Sequence, residues 1–304
     1  MLVAPMQFLT RWPALALLLN ALVWGTSWWP FRQLQLLGLH PLWATVFVYA
    51  LAVVVIVIAR PRAVGQLLRT PVLWVLVLAS GTTNAAFNWA VVIGDVVRVI
   101  LLFYLMPLWT VLLARVLLHE PLTRGAGLRV LLAFGGAIIV LSPEGASGWA
   151  GLPLPRSLPD WLGVVGGFSF ALNNVLLRRE AHRPEEGRAL AMFSGGVAVA
   201  ATLATMLATQ GALPWPPPPA PTWLLGVLAL AVLFLAGNLA LQFGAARLPA
   251  NVTAVVMLTE VLFASASALA LGGGVLTGRL LLGGGLIVLA AVLAAFEPSS
   301  GTPH

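Results

Sequence analysis

Between Arg98 and Thr123 the chain reads RVILLFYLMPLWTVLLARVLLHEPLT, with no charged side chain after Arg98 until Arg115. About 20 consecutive apolar residues are what a helix needs to cross the hydrocarbon core of a bilayer. In that medium a helix closes its own backbone hydrogen bonds, so such a run commits the chain to helical, membrane-spanning structure. The run carries Pro107 at its centre and leaves through the turn-forming HEPLT. The chain writes it again from Asn251 to Thr277, as NVTAVVMLTEVLFASASALALGGGVLT. Aligned on the polar step before each run, Pro107 falls on Glu260. Aligned on the exit, Leu122-Thr123 falls on Leu276-Thr277, one residue out of register. A duplicated apolar unit whose irregular residues sit at membrane mid-depth points to a transporter, not to an enzyme or a receptor.

The same length rule predicts ten spans, at 12–36, 41–59, 71–93, 97–118, 127–142, 160–178, 188–209, 222–243, 250–271 and 279–296. Several are punctuated by proline, at His40-Pro41, Arg60-Pro61, Thr70-Pro71, Ser142-Pro143 and Leu248-Pro249. The composition agrees: 60% of residues are hydrophobic and 8% charged, whereas soluble chains carry about a quarter charged residues. The N-terminus reads as a retained first span rather than a cleaved signal. The net charge of +7 comes from arginines scattered between apolar runs, which is a topology signal and not a nucleic-acid footprint.

Four of the 16 basic residues, Arg32, Arg98, Arg156 and Arg279, fall at one set of span ends; the other twelve fall at the opposite set. That bias places both termini in the cytoplasm. The proline- and glycine-rich stretch GASGWAGLPLPRSLP then lies outside and divides the chain into five-helix halves, 1–147 and 148–304. An odd number of spans per unit inverts the second half relative to the first. The run Pro216 to Pro219 reads as a stiff polyproline spacer on the outer side.

The duplication extends beyond the opening helix. NAAFNWA, from Asn84, stands 154 residues before NLALQFG, from Asn238, so Asn84 matches Asn238 and Asn88 matches Gln242. Each pair is spaced i, i+4 and shares a helical face. On WGTSWW in helix one, Pro107, the HEPLT exit and the glycine-rich fifth and tenth helices, the chain resembles the drug/metabolite transporter superfamily, specifically its ten-helix members with paired EamA-type repeats. The resemblance covers essentially the whole chain. It departs in the second copy, where Gly273 or Gly274 replaces the exit acid and Glu260 the proline. The tryptophan-rich first helix is most similar to bacterial exporters of aromatic and other neutral amino acids.

A carboxylate at mid-membrane costs about 2.5–3.5 kcal/mol on insertion scales, so Glu260 is expected to face a cavity or a partner. It either binds a solute ammonium or couples protons, or it is a buried acid bonded to the amides of helices three and eight. The amides Asn84, Asn88, Asn173, Asn174, Asn238 and Gln242 lie within apolar spans, as does Asn20. Each lines a polar pathway or bonds helix to helix, a role worth only about 0.6 kcal/mol on average in membranes. Trp24 and Trp28, four residues apart on a stripe with Asn20, and Tyr104, one turn before Pro107, are the aromatic candidates for a solute site. Pro107 frees the carbonyl near Phe103 and is the expected hinge, unless it is a static bend. Arg98 and Arg279 are expected to anchor lipid headgroups, Glu120 to pair with Arg124, and Gly163 with Gly167 to permit close helix packing.

Enzyme chemistry lacks parts. There is no cysteine, the four histidines show no metal-ligand spacing, and no phosphate-cradling Gly-Lys motif exists. The reading is an all-α membrane protein of ten transmembrane helices in two inverted five-helix repeats, acting as an inner-membrane secondary carrier of small neutral solutes. Helices one, three, four, six, eight and nine are expected to line its cavity, and five and ten to form scaffold. Export of amino acids is what the resemblance implies; import or exchange of another metabolite is the alternative within the carrier class. A lipid scramblase or passive pore fits the same composition. The expected partners are a small-molecule solute, the lipid bilayer and, as candidate coupling ion, protons. No nucleic acid, cofactor or metal is expected.

Overall fold

The computed structural model describes residues 4–119, 124–142, 154–180, 182–245, 256–257 and 259–295, and all regular structure among them is helical. The first span is α1, Ala4–Thr26, followed by α2, Trp28–Leu36. At Ser27 between them, both the amide and the hydroxyl donate to the Trp24 carbonyl, at 3.3 and 2.8 Å. Next comes α3, Pro41–Ala59, with proline in the first turn, where its missing N–H would have been an orphan. His40 caps this helix, its Nδ1 accepting from the Leu42 amide at 3.2 Å. Burial lowers that imidazole to about 4, so at neutral pH it remains an acceptor.

One helix was not expected. Between Arg60 and Pro71, where the sequence reads as a break, α4 spans Arg62–Arg69. Eight residues are too few for a membrane-length window, but Ala63 and Leu67 lie four apart and are buried while Leu68 is exposed. It is an amphipathic helix of about two turns lying at the end of the bundle. The third span is α5, Pro71–Ile93.

The fourth span is discontinuous. It consists of α6, Val96–Phe103, and α7, Met106–Leu117, separated by a turn at Tyr104 and Leu105. Pro107 therefore does not sit mid-helix, as expected; it is the second residue of α7, just past the break. The amides on either side reach back only three residues, Leu105 to Leu102 at 3.2 Å and Leu108 to Leu105 at 3.0 Å. The Phe103 carbonyl, which an amide at 107 would have bonded, instead lies against Gly167, where a Cβ would stand 2.4 Å from it. Gly163, one turn earlier, meets Leu102 and the Val99 carbonyl in the same way. The expected small-residue step is thus the seat of the broken helix.

The remaining helices are α8, Arg124–Leu141; α9, Leu158–Arg179; α10, Glu185–Thr209; α11, Pro221–Ala245; α12, Thr259–Ala270; and α13, Gly278–Ala295. Among the described residues, seven helical segments are long and apolar enough to cross a membrane, and α12 and parts of α8 and α13 form shorter apolar helices. Residues 250–255 and 258 of the predicted ninth span, and Glu120 of the predicted pair with Arg124, lie outside the described residues.

The most enclosed span is α5, 78% of whose apolar window is buried, against 28% for α11. It packs on α3, α9 and α10, while α1 packs on α11 and α12, and α8 on α13. Glycine brings several of these backbones together. A Cβ on Gly81 of α5 would lie 2.3 Å from the Gly195 carbonyl of α10, and one on Gly136 of α8 2.5 Å from the Gly283 carbonyl of α13. The segment around Pro216 to Pro219 is tied to α3 and α11: the indole N–H of Trp43 donates to the Pro214 carbonyl and that of Trp223 to the Pro218 carbonyl.

Two ends can be told apart by the contacts between their turns. Asp95, Gly94 and the α12–α13 turn meet at one end, since the Val96 amide donates to the Gly273 carbonyl at 3.0 Å. At the other, α4 meets the start of α10, where Gln66 Nε2 donates to Glu186 Oε1 at 3.2 Å. These are the Asp95 end and the Arg60 end.

Candidate functional site

On α5, Ser80, Thr83, Asn84 and Phe87 follow at i, i+3, i+4 and i+7, so one face of the most enclosed helix carries three polar groups and a ring. That face borders a central chamber of about 140 Å³. Its hydrogen-bonding capacity is spent locally. Tyr49 of α3 donates its hydroxyl to Asn84 Oδ1 at 2.7 Å, Asn84 Nδ2 to Ser80 Oγ at 3.3 Å, and Ser80 to the Met192 carbonyl at 3.1 Å. Thr83 bonds the Ala79 carbonyl of its own helix. This chain of donors fixes α3, α5 and α10 around the chamber without leaving a charge.

Two amides face the chamber differently. Asn20 Nδ2 reaches Met257 Sδ at 3.5 Å, and Asn173 Nδ2 reaches Asn174 Oδ1 at 3.4 Å. The side-chain oxygens of Asn20 and Asn173 are fully buried and have no donor among the described residues. An unsatisfied buried acceptor is destabilising by about 1–3 kcal/mol, so both oxygens favour a donor brought in by something else.

Glu260, in the described first turn of α12, is the one charged side chain in the chamber's described lining. The Tyr104 hydroxyl approaches Glu260 Oε2 at 3.5 Å, the long limit of a hydrogen bond. The carboxylate is therefore loosely held and keeps capacity for another donor. Tyr104 is placed there by the α6–α7 break, which it begins. The backbone beneath Glu260 is pressed on α1: a Cβ on Gly25 would stand 2.7 Å from the Glu260 carbonyl. The glycine of WGTSWW thus sets how closely α1 approaches the acid.

Rings close the chamber toward the Asp95 end. Phe103, the last residue of α6, meets Phe87 edge-on at 4.9 Å and Phe170 of α9 at 5.3 Å. Trp24 stacks on Phe234 of α11 at 4.8 Å. Toward the Arg60 end the lining continues to Leu241, in the last described turn of α11.

Of the site residues expected from sequence, Trp24, Asn84, Tyr104, Asn173, Asn238 and Glu260 line this chamber. Others are elsewhere. Trp28 lies beyond the step at Ser27, is 1% exposed, donates its indole N–H to Ser267 Oγ at 2.9 Å and carries Arg32 over its ring. Asn88 shares the face of Asn84 but sits one turn beyond it, next to Phe87, where Nδ2 donates to Thr45 Oγ1 at 3.0 Å. Asn174 is exposed, about 100° around the helix from Asn173. The side chain of Gln242 lies outside the described residues.

Sequence reasoning missed contributions from the second and seventh spans, through Tyr49 and through Met192 with Phe193. One signal was available: the chain has two tyrosines, and both line the chamber. The fifth and tenth spans contribute no described lining residue. Arg98, expected at the lipid headgroups, instead holds Asp160 of α9 through two bonds, Nε to Oδ1 at 2.7 Å and Nη2 to Oδ2 at 3.1 Å.

Residues 11–142 match the EamA-like transporter family, of the drug/metabolite transporter superfamily. No curated protein matches the chain in sequence. A solved crystal structure shares the fold at a TM-score of 0.56, covering 95% of this chain and 99% of its own at 20% identity.

Proposed function

We propose that this chain, a multi-pass membrane protein carrying an EamA-like transporter domain, is a secondary carrier exporting small neutral solutes, amino acids above all, by alternating access. The observation that carries this reading is the chamber. Within a membrane-spanning bundle, a loosely held carboxylate and two orphan amide oxygens face a space walled by rings. Such a constellation favours a solute that brings hydrogen-bond donors and an apolar body, as an amino acid with its ammonium and side chain does. A cavity of about 150 Å³ takes up benzene in other proteins, so the chamber in this conformation suits a solute of about one ring.

The two halves, 1–147 and 148–304, act in this reading as inverted repeats. Helix pairing supports it. If each span of the first half corresponds to one of the second, the α1–α11 contact exchanges with α9–α5, while α3–α10 and α8–α13 map onto themselves. That reciprocity is what a two-fold axis in the membrane plane produces. The arginine bias supports a bacterial inner-membrane location with the Arg60 end and both termini cytoplasmic. Glu260 is the group that would carry a coupled proton. No enzymatic step, cofactor or nucleic acid enters this function.

The test is transport by purified protein in liposomes, with a panel of L- and D-amino acids and with or without a pH gradient. Saturable flux of L-isomers is expected. Glu260→Gln keeps shape and hydrogen bonding but removes the charge, and should weaken solute affinity by about tenfold, the loss of one charged hydrogen bond. Equal flux of both enantiomers would make the protein a pore, and full affinity in the Gln variant would remove the carboxylate from recognition.

A further inference from the structure

Ten consecutive residues, Asp95 to Tyr104, carry four separate devices. Arg98 holds Asp160 by two bonds and donates a third to the Val140 carbonyl of α8. Phe103 supplies the ring that meets both Phe87 and Phe170. Tyr104 touches the chamber carboxylate. At the start of the segment its cap, Asp95, accepts from the Arg98 amide through Oδ1 and from the Val275 amide through Oδ2, both at 2.9 Å. The segment thereby bonds α8, α9 and the α12–α13 turn at once, and every one of those bonds lies at the Asp95 end.

Among the described residues, the ion pairs at the two ends differ in what they join. The ion pairs described at the Arg60 end, Glu180 with Arg179 and with Arg183, stay within one stretch of chain. At the Asp95 end the Arg98–Asp160 pair joins the two halves, with the Asp160 side chain 5% exposed and that of Arg98 30%. Arg98 is the partly exposed member of this pair, so its guanidinium can pass to water as the bond parts, which suits an element that opens. The break after Phe103 lets α6 move without carrying α7, since few helical hydrogen bonds cross Tyr104 and Leu105 and Pro107 donates none.

We propose that α6 is the gate of the chamber at the Asp95 end, latched by Arg98–Asp160 and Asp95–Val275, and released when a solute displaces Tyr104 from Glu260. Swinging α6 outward withdraws Phe103 from the ring layer and opens the chamber in a single motion. This rests on the alternating-access reading for the part played by the solute, but the latch itself does not need a transported solute to be tested.

The chain has no native cysteine, so one introduced thiol reports alone. Thr83→Cys faces the chamber, and its rate of reaction with a membrane-impermeant maleimide is read separately from each side of the liposome, with Pro218→Cys marking the Asp95 side. In this background Arg98→Gln and Asp160→Asn should each raise labelling from the Asp95 side by about tenfold, as loss of a charged bond implies. Labelling from the Arg60 side should fall, because one end closes as the other opens. The charge exchange Arg98→Asp with Asp160→Arg should return both rates toward those of the parent. Unchanged rates in both single variants overturn the gate, as does a rise from both sides, which marks a loosened bundle. Changed access without any solute flux keeps the gate and sinks the carrier reading instead.

Discussion

A single methylene decides several contacts in this protein. Gly167 lies where a Cβ would meet the Phe103 carbonyl at 2.4 Å, whereas Gly135 on α8 has nothing within 4 Å of its would-be Cβ. Gly167→Ala should therefore lower stability by about 1–3 kcal/mol, the usual result of overpacking. Gly135→Ala should be neutral or stabilising by up to about 1 kcal/mol through helix propensity. Thermal unfolding of the two variants in the same detergent compares them, and equal melting temperatures would remove Gly167 from the seat of the break. Which residues meet was only partly legible in the sequence. The side-chain period along α5 put Asn84 and Asn88 on one face, but it gave no depth, and a single turn decided that one lines the chamber and the other bonds Thr45. Arg98 and Asp160 are 62 residues apart, and nothing local to either signals the other.

Among the elements, the broken fourth span is the one most open to perturbation. In Pro107→Ala the new amide can bond the Phe103 carbonyl and draw α6 into line with α7, which pulls that carbonyl off Gly167. Turnover should drop by about tenfold while solute affinity changes little, since the substitution alters the path between states more than the chamber. Single-turnover and equilibrium-binding measurements on the variant separate the two; full turnover would reduce the break to a fixed bend. The existence of long spans was plain from apolar run length, because that property is local and additive. The freed carbonyl near Phe103 is legible from Pro107, because proline disturbs the turn before it; that the helix breaks there and seats that carbonyl on Gly167 is a tertiary contact with no local signal. The amphipathic α4 escaped notice for a different reason: eight residues with three polar side chains average out in any window of membrane length.

For the molecule as a whole, the proposed arrangement of two halves predicts which turns face which side. Pro218→Cys and Glu185→Cys are exposed at opposite ends, and the arginine bias assigns the first to the outer side and the second to the cytoplasm. Impermeant maleimide applied to intact cells should label the first and spare the second. The reverse result would turn the whole bundle over in the membrane. Gly187, although at the same end as Glu185, is buried against Gln66 and would not report.

The crossing of α5 and α10 carries a mechanical consequence. Gly81 and Gly195 stand near the middle of their helices, and each would drive a Cβ into the other's backbone, to 2.3 Å in one direction and 2.9 Å in the other. Two rods touching at mid-length with no slack behave as a fulcrum: they tilt about the contact but do not part there. Widening between them at one end must narrow the other. A rigid wedge lodged in either mouth would then prop one aperture and pinch its opposite, so that no single insertion could leave a continuous bore through the bundle.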